Sequence, residues 1–330
     1  MKKLNFSWAH GVVVFLIVSI GVGSVISPYF ATTDNLSFVI QDVGEIAIIA
    51  LAMTYLIIAG EIDLSVASTL NLSSAAIGFA FRSGMPFEWA ILVGLAVGLL
   101  CGLLNGFFVT IIGLPSLAVT IGTLALYRGL AYALLGNNPV NELPEGWVSL
   151  GFENIPNTFL PWTTIPIAIL VAIAWIVLHH TRFGRWTYAI GINPEAAKFS
   201  GIPVARMKLA LFAITGLMSG VAGVVYTLRF ASASPDGAVG YELGVIAAVL
   251  FGGVSIAGGI GTLWGVLASV LALGAIRSGL QLADFSANAL LIVSGALLLV
   301  SVVIPRAIEI VTSRRKSVVV KPNNKSLKGD

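Results

Sequence analysis

The sequence predicts an all-α protein: a polytopic transmembrane helix bundle of about ten spans, with both ends in the cytoplasm. Three observations carry that prediction. The 330 residues are 57% apolar and only 10% charged, with a mean hydropathy of +0.97, where a soluble domain carries roughly 45–50% and about 25%. Long windows contain no charge at all. The Lys and Arg residues that do occur collect at alternate connections.

Charge keeps a soluble surface hydrated, and 18 basic with 15 acidic side chains cannot cover a soluble protein of this size. This excludes a soluble enzyme, a disordered chain and a secreted disulfide scaffold. The single cysteine, Cys101, has no partner for an internal disulfide and sits in an apolar run as a small packing residue.

A span needs about 20 mostly apolar residues to cross roughly 30 Å of hydrocarbon. Residues 4–33 hold no Lys, Arg, Asp or Glu and predict a first span over 9–29. Lys2 and Lys3 ahead of an apolar stretch also fit a signal peptide. The apolar run continues to Ile26 with no A-x-A pattern after it, so the expectation is an uncleaved span. The charge-free windows 46–60 and 64–81 give spans 37–60 and 65–82. The window 89–127 is long enough for two crossings. Gly113-Leu114-Pro115 divides it into 87–112 and 116–135, because proline lacks a backbone donor and disfavours helix in the residue before it. Spans 161–181 and 208–229 follow from the next two windows. Glycines 252, 253, 258, 259 and 261 split the window 243–276 into 242–257 and 261–281, and 286–304 completes the set. None of these runs alternates as barrel strands do, and helices satisfy their own backbone in lipid.

Ten spans place both ends on one side. That side collects 14 of the 18 Lys and Arg, including Arg182, Arg185, Lys198, Arg206 and Lys208 in or beside the 182–207 loop. The other side collects Asp34, Glu88, Glu142, Glu145, Glu153, Asp236 and Asp284. The positive side is cytoplasmic, so the net charge of +3 reflects membrane topology, and no nucleic-acid partner is expected. The longest connections are 136–160 outside, expected to be an ordered loop, and 182–207 inside. A membrane domain over 1–313 is followed by a basic tail, 314–330, expected to be disordered beside the anionic inner leaflet. Ala59-Gly60-Glu61-Ile62-Asp63 and Ala257-Gly258-Gly259-Ile260-Gly261 echo one another at two inner corners, as a repeat of span groups would.

The inner loop contains a miniature helix. Asn193 is a good N-cap and Pro194 suits the first helical position. Glu195 complements the helix dipole, Gly201 fits the C-terminal cap and Pro203 prevents continuation. About seven residues cannot hold a helix alone, so this one has to dock. Ala196, Ala197 and Phe199 are expected to face a protein groove.

Glu195-Ala196-Ala197 with Gly201 resembles the coupling-loop motif of ATP-binding-cassette importer permeases. The segment 182–223 is similar to the permeases of ribose, rhamnose and autoinducer-2 type sugar importers. So are Gly60-Glu61-Ile62-Asp63-Leu64-Ser65, the stretch from Leu114 to Leu124, and the stretch from Leu250 to Gly259. The likeness covers about 37–305, and branched-chain amino acid permeases share a related layout. Glu61 and Ala67 stand where the sugar permeases carry glycine. The resemblance implies a transport subunit of the cytoplasmic (inner) membrane, not an enzyme. Its partners would be a separate ATPase holding ATP and Mg, a second permease subunit, identical or homologous, and an external solute-binding protein. The coupling residues would be Asn193, Pro194, Glu195, Ala196, Ala197, Phe199 and Gly201. No cofactor is expected on this chain itself.

Two further groups of residues invite a role. Gly60, Glu61, Asp63 and Ser65 form an inner corner, where the carboxylates could cap the next helix, pair with a loop arginine as a gate, or relay protons. Asn71, Asn105, Thr120 and Thr123 are uncharged polar groups within spans, either interhelical glue or lining of a solute path, as are Ser73, Ser74, Ser219, Gln281 and Asn288. Arg128 is expected to pair internally with Asp42 or Glu45. His179 and His180 lack the further ligands a metal would need. No nucleotide loop, catalytic triad or zinc pattern occurs, so neither a catalytic nor a metal residue is assigned.

Overall fold

The computed structural model describes residues 8–286, together with 292, 295, 296, 299 and 303. Most of the expected tenth span, the basic tail and Asn288 lie outside them. The described residues form helices α1 (Trp8–Ile26), α2 (Thr33–Asp42), α3 (Gly44–Ile58), α4 (Val66–Arg82), α5 (Phe87–Phe107), α6 (Ser116–Leu135), α7 (Glu145–Phe152), α8 (Thr164–His180), α9 (Arg182–Ile192), α10 (Pro194–Phe199), α11 (Val204–Arg229), α12 (Tyr241–Phe251) and α13 (Leu263–Leu282). A π-helical turn, Phe108–Ile112, extends α5. No strand occurs among the described residues; isolated bridges join Val140 to Ala233 and Asn154 to Pro161.

By length and composition, four of these helices can cross a membrane: α5 with its π turn, α6, α11 and α13. Two bent pairs raise the number to six, α2 with α3 at 41° and α8 with α9 at 67°. Three elements were not anticipated in the sequence. The second expected span is broken at Val43. The outer loop contains α7. Residues 182–192, read as loop, form α9, with Thr181 as N-cap accepting from the Gly184 amide. The breaks at proline and glycine fall where expected. Gly113 adopts φ +84° and Pro115 opens α6, and the glycines after α12 separate it from α13.

Helix α3 lies at the centre, and all 15 of its residues are buried. Its sequence is apolar on every side but for Glu45, Thr54 and Tyr55, the pattern of a helix surrounded by others. Helices α8, α11, α12 and α13 pack round it, while Ile165, Ile169, Ile173 and Ile176 form an outward apolar row on α8, as expected of a lipid-facing surface.

The tightest packing is between α5 and α11. Glycines 94, 98, 102 and 106 lie one turn apart on α5, and Gly216 and Gly220 face them. A methyl group at Gly98 would lie 2.6 Å from the Gly216 carbonyl oxygen and 2.8 Å from the Gly220 Cα. The backbones therefore touch with no side chain between them, which is how helices gain van der Waals contact where lipid removes the hydrophobic drive. Gly98→Ala is expected to destabilise the detergent-solubilised protein by about 1–3 kcal/mol, read as a fall in melting temperature. Gly122→Ala, with open space around its Cβ position, should leave that temperature unchanged or raise it.

Candidate functional site: an inner docking helix and its mounting

Residues 182–199 fold into two consecutive helices, α9 and α10, and α11 begins at Val204. Asn193 ends α9 and starts α10: its amide donates to the Ala189 carbonyl, and its Oδ1 accepts from the Ala196 amide at 3.0 Å. Pro194 occupies the first turn, Glu195 follows it, and Lys198 lies in the last turn. Ser200 is the C-cap and Gly201, at φ +80°, reverses the chain. Glu195, Ala196 and Phe199 are exposed, Phe199 to 91%, with Ile192 beside them at 74%. Ala197 departs from expectation. It is 4% exposed and faces the body of the protein, seating the helix instead of presenting it, because a six-residue helix has one face to spare for each task.

Helix α10 is mounted through α9. Gly191, in the last turn of α9, lies against the Ile58 carbonyl and the Gly259 amide, with no room for a Cβ. The Gly259 amide donates to the Ile58 carbonyl at 2.8 Å. A methyl at Gly258 would fall 2.9 Å from the Gly191 carbonyl oxygen and 3.2 Å from the Gly60 Cα. Gly60, Gly258 and Gly259 have φ of +83°, +84° and +74°, conformations that glycine alone adopts at little cost. The two corners that echo one another in sequence thus meet in space on α9. The Tyr188 hydroxyl, donating to the Gly261 carbonyl at 2.7 Å, holds the second of them.

The inner-corner residues divide into two functions. Glu61 forms an ion pair with Lys208 of α11 at 2.5 Å, a lysine and not the loop arginine named among the three readings of this corner. Asp63 accepts from the Ser65 amide at 2.8 Å, the Ser65 hydroxyl at 2.6 Å and the Asn105 amide at 3.2 Å. This is a turn ahead of α4, in which Ser65 makes no side-chain cap of its own. Burial pushes the Asp63 carboxyl above the usual carboxylate range, and the Ser65 and Asn105 donors pull it back.

Two of the four expected path residues, Asn105 and Thr120, reach this same corner. Asn105 also donates to the Ser65 hydroxyl and accepts from Tyr127. The Thr120 hydroxyl reaches the Ile62 carbonyl at 3.5 Å, and Thr123 bonds back to Thr120. Asn105 and Thr120 tie the corner to α5 and α6, while the Thr123 bond stays within α6. Asn71 differs: its Oδ1 accepts from the Ala238 amide, while its Nδ2 is buried with no partner.

Arg128 does not pair with Asp42 or Glu45. It lies 3.9 Å from Glu242, and the two acids are held by Arg229 and Arg277. The reason is reach across the bundle: both arginines sit on helices packed beside α2 and α3, whereas α6 packs on α4 and α5. Nothing in the spacing of the sequence signalled that network. Among the described residues no group of three or more His, Cys, Asp or Glu could hold a metal ion.

An apolar helix bundle in which four to six helices are able to cross a membrane is the frame of a membrane protein. The comparisons specify which. The family model for the permease component of branched-chain amino acid transport systems matches residues 35–302. The chain is 34% identical over 307 residues to the autoinducer 2 import system permease protein LsrD of Escherichia coli K12, covering 91% of this chain and 92% of that one. The protein of the same name from Shigella flexneri aligns with the same identity and coverage. No solved structure matches. The chain belongs to this permease family and is a permease subunit of an ATP-binding-cassette importer. It is a multi-pass membrane protein whose task is transport, in a family that works with ATPase and solute-binding partners.

Two variants test the geometry. Asn193→Ala removes the cap and should cost α10 about 1 kcal/mol, seen as faster hydrogen exchange at the Ala196 amide, with Asn193→Asp restoring protection. Glu61→Gln should lower the melting temperature by the equivalent of about 1–3 kcal/mol, and the reversed pair Glu61→Lys with Lys208→Glu should recover most of it.

Proposed function

We propose that this chain moves a sugar-like solute of the autoinducer-2 type inward across the cytoplasmic membrane, driven by an ATPase that receives α10 in a cleft. The reading includes ten spans with both ends inside and a second permease subunit, identical or homologous. An external binding protein delivers solute to the outer mouth, and ATP with Mg is held wholly in the ATPase. The observation that carries it is the mounting of α10. The helix offers Glu195, Ala196 and Phe199 outward, and its seat is continuous with the inner ends of α3 and α12 through Gly191.

The mechanism follows from that continuity. Closure of the ATPase displaces α10. Because Asn193 is shared, α9 moves with it. Gly191 abuts backbone, and backbone does not yield as a side chain would, so the displacement reaches the two corners directly. The Glu61–Lys208 pair joins the first corner to α11, whose seam with α5 then carries the change into the other half of the bundle. The solute class rests on the relatives, which are autoinducer 2 import permeases. The family's description names branched-chain amino acids, and leucine uptake is the competing outcome.

The test is uptake by vesicles holding this chain with its partner subunits. ATP-dependent accumulation of autoinducer 2, but not of leucine, is expected, and it should persist when ion gradients are collapsed. Uptake that needs a gradient and no ATP would overturn the reading. Glu195→Lys should abolish uptake with normal insertion, through the outward face. Ala197→Asp should abolish it by unseating α10, detectable as increased proteolysis of the 182–207 loop. Normal uptake by both variants would remove the docking helix from the mechanism.

A further inference from the structure

The end of α3 remote from α10 carries four charges inside an otherwise apolar bundle. Asp42 is the last residue of α2, Glu45 lies in the first turn of α3, Arg229 ends α11, and Arg277 belongs to α13. The Arg229 guanidinium donates to the Gln41 carbonyl and to Glu45, both at 2.9 Å, and to Asp42 at 3.0 Å. Arg277 reaches the other Asp42 oxygen at 3.3 Å. Both guanidiniums lie over aromatic rings, Arg229 at 4.6 Å from the Phe230 centroid and Arg277 at 5.8 Å from that of Tyr241. The set is charge-balanced, and Glu45 is wholly buried.

We propose that Asp42, Glu45, Arg229 and Arg277 form a latch that closes the outer end of the solute path in this state and parts in each transport cycle. This rests on the permease reading above. Three observations set a latch apart from a static brace. First, the network straddles Val43, where α2 and α3 bend by 41°, so it spans a joint and not a continuous helix. Second, it is incomplete: Glu45 Oε1 and Arg277 Nε are buried without partners. A fixed brace gains nothing from unmet groups, and apolar side chains would serve it as well as buried ions do. Third, α3 connects the latch to the motor side. Its 15 residues span about 22 Å, all buried, and its far end carries the Ile58 carbonyl held by Gly259 beside Gly191. A displacement of the corner is delivered along a rigid helix to Glu45.

The experiment uses the complete importer reconstituted in vesicles, in a Cys101→Ser background. Asp42→Cys with Arg277→Cys is tethered by a short thiosulfonate crosslinker. The expected result is a fall of about five- to tenfold or more in ATP-driven uptake of autoinducer 2, restored by dithiothreitol. Full uptake by the tethered protein would overturn the latch. A second readout needs no solute: an impermeant maleimide should label Asp42→Cys several-fold faster when ATP, Mg and the binding protein are added. An unchanged labelling rate would overturn the proposal even if the unmodified complex failed to import autoinducer 2, a failure that counts against the permease reading instead. Should the cysteine variants fail to reach the membrane, Asp42→Asn with Arg277→Gln is expected to raise solute-independent ATP hydrolysis several-fold, and an unchanged rate would refute the latch.

Discussion

Backbone-on-backbone contact where α9 meets the turns after α3 and α12 is the constraint on which the rest of this molecule depends. Gly60, Gly191, Gly258 and Gly259 bring three chain segments together where no side chain fits. Two consequences follow. The corners after α3 and α12 lose the freedom to move independently of α9. And because the Gly259 amide is satisfied by the Ile58 carbonyl, the junction closes backbone groups that would otherwise be orphaned at a helix end. The same logic recurs along the α5–α11 seam, where glycine rows replace side-chain interdigitation. In a medium as apolar as the helices themselves, contact area and satisfied backbone are the available sources of cohesion.

Within that frame the charges mark the two ends of α3. Glu61 with Lys208 sits at the inner corner, and Asp42, Glu45, Arg229 and Arg277 at the other end. Between them α3 holds no ionised side chain. Burying ions costs several kcal/mol each before pairing, so each of these pairs recovers in mutual attraction what it loses in hydration before it adds to cohesion. Asp63 shows the contrast. Its carboxyl is met by neutral donors from Ser65 and Asn105, and it fixes the approach to α4 and ties it to α5.

Much of the architecture was legible because lipid imposes simple rules. Charge-free windows located the long apolar helices among the described residues, and Pro115 and the glycines after α12 located breaks. The small helix was readable almost atom by atom, since a cap is a local device: Asn193, Pro194 and Gly201 act within one turn of themselves. The bend at Val43 and the helical character of 182–192 were not legible. Both are set by what packs against them, the first by the charge network and the second by the junction at Gly191.

The sequence by itself determined that this is a membrane helix bundle with a capped inner helix, because composition, charge spacing and capping act over a few residues. Only the tertiary structure decided which acid meets which arginine, that Ala197 turns inward, and that Asn105 and Thr120 tie the corner after α3 to α5 and α6. Those outcomes depend on which helices lie side by side, and partners separated by as many as 235 positions along the chain, as Arg277 and Asp42 are, leave no periodic trace in it.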